Sequence, residues 1–154
     1  MTSTADPAVL RGWVDESTGR LLAGTAATLR EIARAMPVVV DHYGMMPAAC
    51  GVNEPNFQAL LKLVGEGAVH VKVSAAYRIS TQFPDYPDAR PFHEALVRAN
   101  PERLMWGTDW PHPSIAAAVM PDDGHLLDLF FDWTPDEATR RRILVETPAR
   151  LFAA

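Results

Sequence analysis

The sequence lacks three features that would each indicate a definite class of protein. It has a single cysteine, Cys50, which excludes an internal disulfide and favours a reducing compartment, here expected to be the cytoplasm. No run of about 18 apolar residues occurs, so no membrane span is expected. The net charge is −5 and the longest basic run is Arg140–Arg142, so nucleic acid is not an expected partner.

Along the chain, apolar patterns typical of strands alternate with apolar patterns typical of helices. Of the 154 residues 48% are hydrophobic and 21% are charged, a composition typical of a globular domain. The β-branched run Val38–Val40 predicts a buried strand, and short strands are also predicted at Val69–Ser74 and Leu104–Trp106. Helices are predicted over Thr25–Ala35, from Asn53 as N-cap to Gly65, from Asp88 or Pro91 to Ala99, over Gly124–Phe131, and from Thr134 as N-cap to Val145. Strands about one βα unit apart indicate an α/β fold with parallel strands.

Polar side chains follow the predicted strands where ligands bind in parallel α/β folds, at the carboxyl ends. Asp109 follows an apolar strand and Gly107, and a partly desolvated carboxylate there can act as a general base or bind a metal. The alternative is that Asp109 caps a turn. His42, at the end of the first strand, can polarise a carbonyl, donate a proton or ligate a metal, and its alternative is a structural histidine.

Two basic residues near the second strand also have competing interpretations. Arg78 can bind a substrate carboxylate through two parallel hydrogen bonds, whereas the alternative is a surface ion pair with Asp85 or Asp88. Lys72 lies inside an apolar strand and needs a partner, so it either points toward Asp109 or lies on an edge strand facing solvent.

The remaining histidines and the cysteine carry no functional pattern. His70 lacks metal-ligand spacing, and His93 and His125 lie on predicted helices, where we expect them at the surface. Cys50 follows two alanines and has no base near it in sequence, so we expect a small buried or loop residue.

Val38–His112 resembles the amidohydrolase family 2 proteins, the group that includes 2-pyrone-4,6-dicarboxylate lactonase. The matching segments are Val40–Gly44, Val71–Ala75 with Tyr77 and Arg78, and Pro101–His112, which contains Gly-Thr-Asp-Trp-Pro-His. The tail Glu146–Phe152 is similar to the family's closing Asn-Pro-x-x-Leu-Phe, with Thr147 in place of the Asn. The resemblance covers roughly Thr25 to the C-terminus.

This resemblance implies a (β/α)₈ barrel that hydrolyses an ester, lactone or amide of a small carboxylated substrate. Asp109 would take a proton from the attacking water, and His42 would polarise the scissile carbonyl or ligate a metal. Arg78 would contact a substrate carboxylate and His112 would position the substrate. The four residues expected to bind substrate are Arg78, His112, Tyr77 and Ser74.

The sequence departs from the family in two ways. The His-x-His pair that begins family members is absent, and a full barrel needs about 250 residues. We therefore expect the C-terminal half of a TIM (β/α)₈ barrel, with three to four parallel strands and flanking helices. Residues 1–24 would be a divergent N-terminal segment, with a fourth strand around Gly12–Val14, and residues 25–154 the partial barrel domain.

The missing half of the barrel also determines which cofactor and which partners we expect. A metal would have at most His42 and Asp109 as ligands, too few for a typical zinc site, so no metal is expected and zinc is the second choice. A half barrel exposes strand edges and apolar helix faces, which predicts a homo-oligomer or a complementary half-barrel chain. The alternative to an enzyme is a non-catalytic, truncated half barrel that pairs with a partner or binds an anion without turnover.

Overall fold

The computed structural model describes residues 25–152 and is built around a three-stranded parallel sheet. The strands are β1 (Val39–Val40), β2 (His70–Lys72) and β3 (Leu104–Met105), in the order β1-β2-β3. In the register of the sheet Val40 pairs with Val71, which pairs with Leu104. All three predicted strands are therefore confirmed, whereas the segment 1–24, with the strand expected near Gly12–Val14, lies outside the described residues.

Helices connect and flank the strands, as the predicted α/β pattern requires. They are α1 (Thr25–Ala33), α2 (Pro55–Gly65), α3 (Arg90–Ala99), α4 (Asp123–Trp133), α5 (Glu137–Arg141) and α6 (Thr147–Phe152). The π-helical turn Arg142–Glu146 joins α5 to α6, and short 3₁₀ turns follow β1 at His42–Met45 and β2 at Ala76–Arg78. Since parallel strands need crossover connections, α2 and α3 serve as those crossovers. Within the described part of the chain, no helix is long and apolar enough to cross a membrane.

The two crossover helices meet in the core through a pair of aromatic rings. Phe57 of α2 and Phe92 of α3 are almost fully buried, and their ring centroids lie 4.6 Å apart with the planes tilted by 56°. A tilted pair at this distance is more favourable than a stacked sandwich and adds to the free energy gained by burial. This packing helps to fix α2 and α3 relative to the sheet and to the loops that follow its strands.

Two helix caps differ from the sequence prediction. Helix α2 is capped by Glu54 rather than Asn53, since the Glu54 carboxylate accepts a hydrogen bond from the Phe57 amide. Helix α5 is capped by Asp136 rather than Thr134, and the Asp136 carboxylate accepts from the Thr139 amide.

The Thr134 side chain does not cap a helix but forms a hydrogen bond with the buried side chain of His93. The expectation of a surface position for His93 is wrong: this residue is 0% exposed. Its Nε2 lies 2.6 Å from the Thr134 hydroxyl and its Nδ1 lies 3.4 Å from the Tyr43 hydroxyl. Phe130 and Trp133 pack edge-on against the imidazole. Desolvation by burial lowers the pKa of His93 to about 4.

His93 predicts a loss of stability in mild acid. Because its pKa falls from 6.5 in the unfolded chain to about 4 in the folded one, the unfolded state binds the proton first. The contribution of the neutral His93 ring to the free energy of unfolding is complete above pH 6.5. It is lost as the pH falls from 6.5 to 4, by a total of about 3 kcal/mol. Urea unfolding of His93→Gln, which keeps a donor for Thr134 but does not titrate, should show a shallower decline over this interval. An unchanged pH dependence would contradict the assignment.

Candidate active site

The carboxyl ends of the three strands bring together all six residues that the sequence singled out. Each of them is linked to another member of the group by a hydrogen bond or an ion pair. The six residues are His42, Ser74, Tyr77, Arg78, Asp109 and His112. Such a cluster at this edge of a parallel sheet is the position expected for a ligand site.

Asp109 is the centre of the group, and its two carboxylate oxygens have different surroundings. Oδ2 accepts a hydrogen bond from the Tyr77 hydroxyl at 2.7 Å and from Arg78 Nε at 2.9 Å, with Arg78 Nη2 also at 2.9 Å. Oδ1 lies 3.5 Å from Nε2 of His42, which is beyond a good hydrogen bond. Oδ2 is therefore held by donors, while Oδ1 is the oxygen that can accept a further proton.

These contacts determine the protonation states of Asp109 and Tyr77. Partial burial of Asp109 opposes its ionisation, but the hydrogen bonds from Tyr77 and Arg78 and the charge of Arg78 outweigh this and lower the pKa of Asp109. Burial, together with the hydrogen bond to Asp109, raises the pKa of the Tyr77 hydroxyl. At neutral pH Asp109 is thus an anion and Tyr77 a proton donor to it.

The imidazole of His42 lies beside the Asp109 carboxylate. Desolvation lowers the pKa of His42 despite the nearby Asp109 carboxylate, so the ring is neutral at pH 7. Its Nδ1 lies 2.9 Å from the Ser74 hydroxyl and its Nε2 faces the Asp109 anion. An anion beside Nε2 favours the tautomer with the ring proton on Nε2, in which the Ser74 hydroxyl donates to Nδ1. An N–H group of this kind can polarise a carbonyl oxygen.

His112 connects the group to helix α4, through a residue that the sequence reasoning missed. His112 Nδ1 lies 2.9 Å from the Tyr77 hydroxyl, and its Nε2 lies 3.1 Å from Oδ1 of Asp123. Asp123 is the first residue of α4, and an acidic residue there looks like an ordinary favourable charge at a helix N-terminus. The sequence offers no further signal for Asp123, because only the folded loop brings His112 to it.

The backbone of the site is held in an uncommon conformation. His42, Asp109 and His112 have φ values of 48°, 68° and 55°, in the left-handed region that non-glycine residues seldom occupy. Each such residue costs roughly 1–3 kcal/mol and persists only where the surrounding structure holds it. That three members of one hydrogen-bonded cluster share this conformation supports a functional role for the cluster.

Arg78 forms a different ion pair from the one that the sequence suggested. Arg78 pairs with Asp109, so the surface ion pair with Asp85 or Asp88 is not formed, and its Nη2 also donates to the Pro113 carbonyl at 2.9 Å.

Lys72 fits neither of its two interpretations. It belongs to the central strand β2, which excludes an edge strand, and its Nζ pairs with Asp41 rather than with Asp109.

The donor set does not fit a metal. Among residues 25–152 no three His, Cys, Asp or Glu side chains are grouped so that they could hold an ion. In addition, the Arg78 guanidinium places a positive charge 2.9 Å from Oδ2 of Asp109, where it would repel a divalent cation. Residues 25–152 alone therefore do not make up a typical metal site.

The fold and site define a portion of a parallel β/α barrel with an acid–base cluster at its carboxyl end. The sequence profile of the family described as Amidohydrolase matches residues 15–154. The chain belongs to the amidohydrolase family.

Similar proteins place the chain within that family. It is 42% identical over 118 residues to 4-sulfomuconolactone hydrolase from Hydrogenophaga intermedia, covering 76% of this chain and 39% of the relative. It is 38% identical over 124 residues to a 2-pyrone-4,6-dicarboxylate hydrolase from Comamonas testosteroni, covering 75% and 40%. An apo crystal structure from Agrobacterium tumefaciens superimposes with a TM-score of 0.73 at 37% identity, covering 84% of this chain and 45% of that one.

The share of each relative that the chain covers indicates how much of a barrel the chain contains. The chain spans about two fifths of the curated relatives it matches and about half of the solved structure. The expected fold is confirmed: the three-stranded parallel sheet and its flanking helices correspond to the C-terminal half of a TIM barrel.

Proposed function

We propose that this chain carries the proton-abstracting part of a site that hydrolyses a lactone of a small carboxylated molecule. The observation that carries the proposal is the asymmetry of Asp109, whose Oδ2 is held by Tyr77 and Arg78 while Oδ1 faces the Nε2 of His42 at 3.5 Å. A fixed carboxylate beside an N–H donor is what water attack on a carbonyl requires. The names of the relatives support the class of substrate, since they describe hydrolases of a sulfonated lactone and of a pyrone dicarboxylate.

The proposed reaction uses these two groups in sequence. Asp109 Oδ1 accepts a proton from water while the water oxygen bonds to the lactone carbonyl carbon. The negative charge that develops on the carbonyl oxygen is stabilised by the N–H of His42. The ring C–O bond then breaks, the leaving oxygen takes the proton from Asp109, and a ring-opened acid is released. No step needs a metal, so we propose that the site functions without one.

The other four residues divide between substrate binding and positioning. Tyr77 and Ser74 are bonded to Asp109 and His42, and His112 is bonded to Tyr77, so we assign these three to holding the reacting side chains. Arg78 uses Nε and Nη2 on Asp109, and we assign its Nη1 to the substrate carboxylate.

A direct assay tests the proposal. The purified chain should open 4-sulfomuconolactone or 2-pyrone-4,6-dicarboxylate, followed by the loss of lactone absorbance, and should be much slower on an uncharged lactone of the same ring size. Dialysis against a chelator should leave the rate unchanged. If neither anionic lactone is opened at high protein concentration, the chain alone is not a lactonase.

Exposed apolar residues favour a second function, in which the chain pairs with a partner and does not turn over substrate by itself. Trp110, beside Asp109, is 74% exposed, and Phe152 at the end of α6 is 70% exposed. In addition, the sheet ends at β1 and β3, whose outer edges have no partner strand within residues 25–152, and exposed strand edges are prone to pair with another chain. Light scattering after size exclusion should then show a dimer or a complex, and a stable monomer at high concentration would contradict this function.

A further inference from the structure

We propose that the amino-terminal end of the sheet holds a binding site for a small anion that carries phosphate or carboxylate groups, at the end opposite the candidate active site. A cavity of about 620 Å³ lies there. Its lining includes residues that come just before the three strands: Pro37 before β1, Ala68 before β2 and Arg103 before β3. Cavities of this size accommodate small organic ligands. The proposal does not depend on the function proposed for Asp109.

The charge of the cavity lining is opposite to that of the chain as a whole. Three arginines line the cavity against a single carboxylate, whereas the chain has a net charge of −5. The arginines are Arg34, Arg103 and Arg150, and the carboxylate is that of Glu102. Within residues 25–152 neither Arg34 nor Arg103 has an acidic partner at ion-pair distance, so both charges can attract an anion. A guanidinium recognises phosphate and carboxylate oxygens through its paired N–H donors.

Arg103 is positioned by a neutral histidine rather than by an acid. Its Nη1 lies 3.2 Å from Nε2 of His70, whose side chain is buried. Because a guanidinium can only donate, the imidazole nitrogen accepts this hydrogen bond. Desolvation lowers the pKa of His70, and the charges of Arg103 and Arg150 act in the same direction, so the ring is neutral at pH 7. The two arginines therefore converge on His70, and no carboxylate there neutralises them.

A glycine lets the Arg103 guanidinium lie against the backbone on its other side. Gly67 has a φ of 72°, and a Cβ at this position would lie 3.2 Å from Nη2 and 3.3 Å from Nε of Arg103. Both distances are shorter than ordinary van der Waals contacts. Gly67 and His70 thus hold the guanidinium before any ligand arrives. Since ordering a long side chain costs free energy on binding, a positioned arginine favours binding of the anion.

Glu102 is the group of the lining that opposes an anion. Its Oε2 lies 3.9 Å from Nη1 of Arg150, and both side chains are 58% exposed, so this pair is weak. Nη2 of Arg150 also donates to the Glu102 carbonyl at 3.3 Å, which gives Arg150 a structural role. We therefore assign the direct contacts with the anion to Arg34 and Arg103. Removing the Glu102 charge should strengthen binding.

Nuclear magnetic resonance tests the site without any activity assay. The ¹⁵N-labelled protein is titrated with sodium phosphate and, separately, with sodium succinate at constant low ionic strength, and sodium chloride serves as the reference. We expect saturable shifts of the Gly67 and Ala68 amide signals with at least one of the two anions. The anion that saturates at the lower concentration identifies phosphate or carboxylate as the preferred group. No saturable shift with either anion, or the same shift with chloride, would overturn the proposal.

Charge-neutralising variants then locate the binding. Arg34→Gln and Arg103→Gln should each weaken it about tenfold, the effect of one lost hydrogen bond to a charged group. Glu102→Gln should tighten it. Arg98→Gln, which removes the same charge from an exposed arginine that pairs with Glu94 outside the cavity, should leave the affinity unchanged.

The exposed position of Arg34, just after α1, keeps the comparison decisive even if Arg103→Gln does not fold. Equal losses of affinity in Arg34→Gln and Arg98→Gln would show that the anion responds to the net charge of the chain, and the proposed site would be wrong. A loss in Arg34→Gln alone supports it.

Discussion

Asp109→Asn should abolish lactone opening, with kcat reduced by about 10³-fold or more, a loss typical of removing a general base. The amide cannot take the water proton, although it keeps the shape of the carboxylate. Its oxygen can still accept from the Tyr77 hydroxyl and Arg78 Nε, the two donors that hold Oδ2. The measurement is the initial rate on the anionic lactones, with KM determined separately so that binding and chemistry are distinguished.

The backbone makes asparagine the right replacement. Residue 109 has a φ of 68°, and asparagine tolerates this left-handed region better than most residues, whereas alanine would add strain as well as removing the base. Asp132→Asn, an exposed carboxylate paired with Arg90, is the matched control and should keep full activity. Substantial activity in Asp109→Asn, with the control unaffected, would show that another group accepts the proton.

The general form of the site could be predicted from the sequence because it depends on local patterns. A short apolar run followed by a polar residue indicates the carboxyl end of a buried strand, and this pattern recurs before His42, Ser74 and Asp109. Once the strands are parallel and adjacent, their ends must share one edge. The short β1 and β3, at two residues each, were placed correctly for the same reason.

Contacts between distant residues could not be predicted in this way. Thr134 and Asp136 are both good N-cap residues, and only the burial of His93 explains why the Thr134 hydroxyl is used elsewhere. His93 itself did carry a signal, since it lies three residues before the buried Leu96 on the same face of α3. Asp123 carried none, because its partner His112 is reached through an irregular loop.

Arg78→Met should have the second largest effect on activity. The variant removes the hydrogen bond from Nε to Asp109 Oδ2 and the ion pair that Nη2 makes with the same oxygen, as well as the donor to the Pro113 carbonyl. A hydrogen bond to a charged group and a close ion pair are each strong enough to change a rate about tenfold or more, so kcat/KM should fall by about 10²-fold. Progress curves over a range of lactone concentrations measure this loss and show whether KM rises, as it should if Nη1 binds the substrate carboxylate.

The pH dependence of Arg78→Met tests the electrostatic part of the argument. With Arg78 present the pKa of Asp109 is held below 3.8, so the base is ionised, and the contribution of this pair to stability is lost only as the pH falls through that lowered pKa. In the variant, partial burial acts with less opposition, so the pKa of Asp109 rises and the acid limb of the kcat/KM profile moves to higher pH.

Arg78→Lys should move the acid limb less, since it keeps the charge but loses the paired geometry. Arg141→Met, at an exposed arginine paired with Glu146, should change neither rate nor profile. An Arg78→Met enzyme with a tenth or more of the normal kcat/KM and an unmoved acid limb would mean that Arg78 neither holds nor tunes the base.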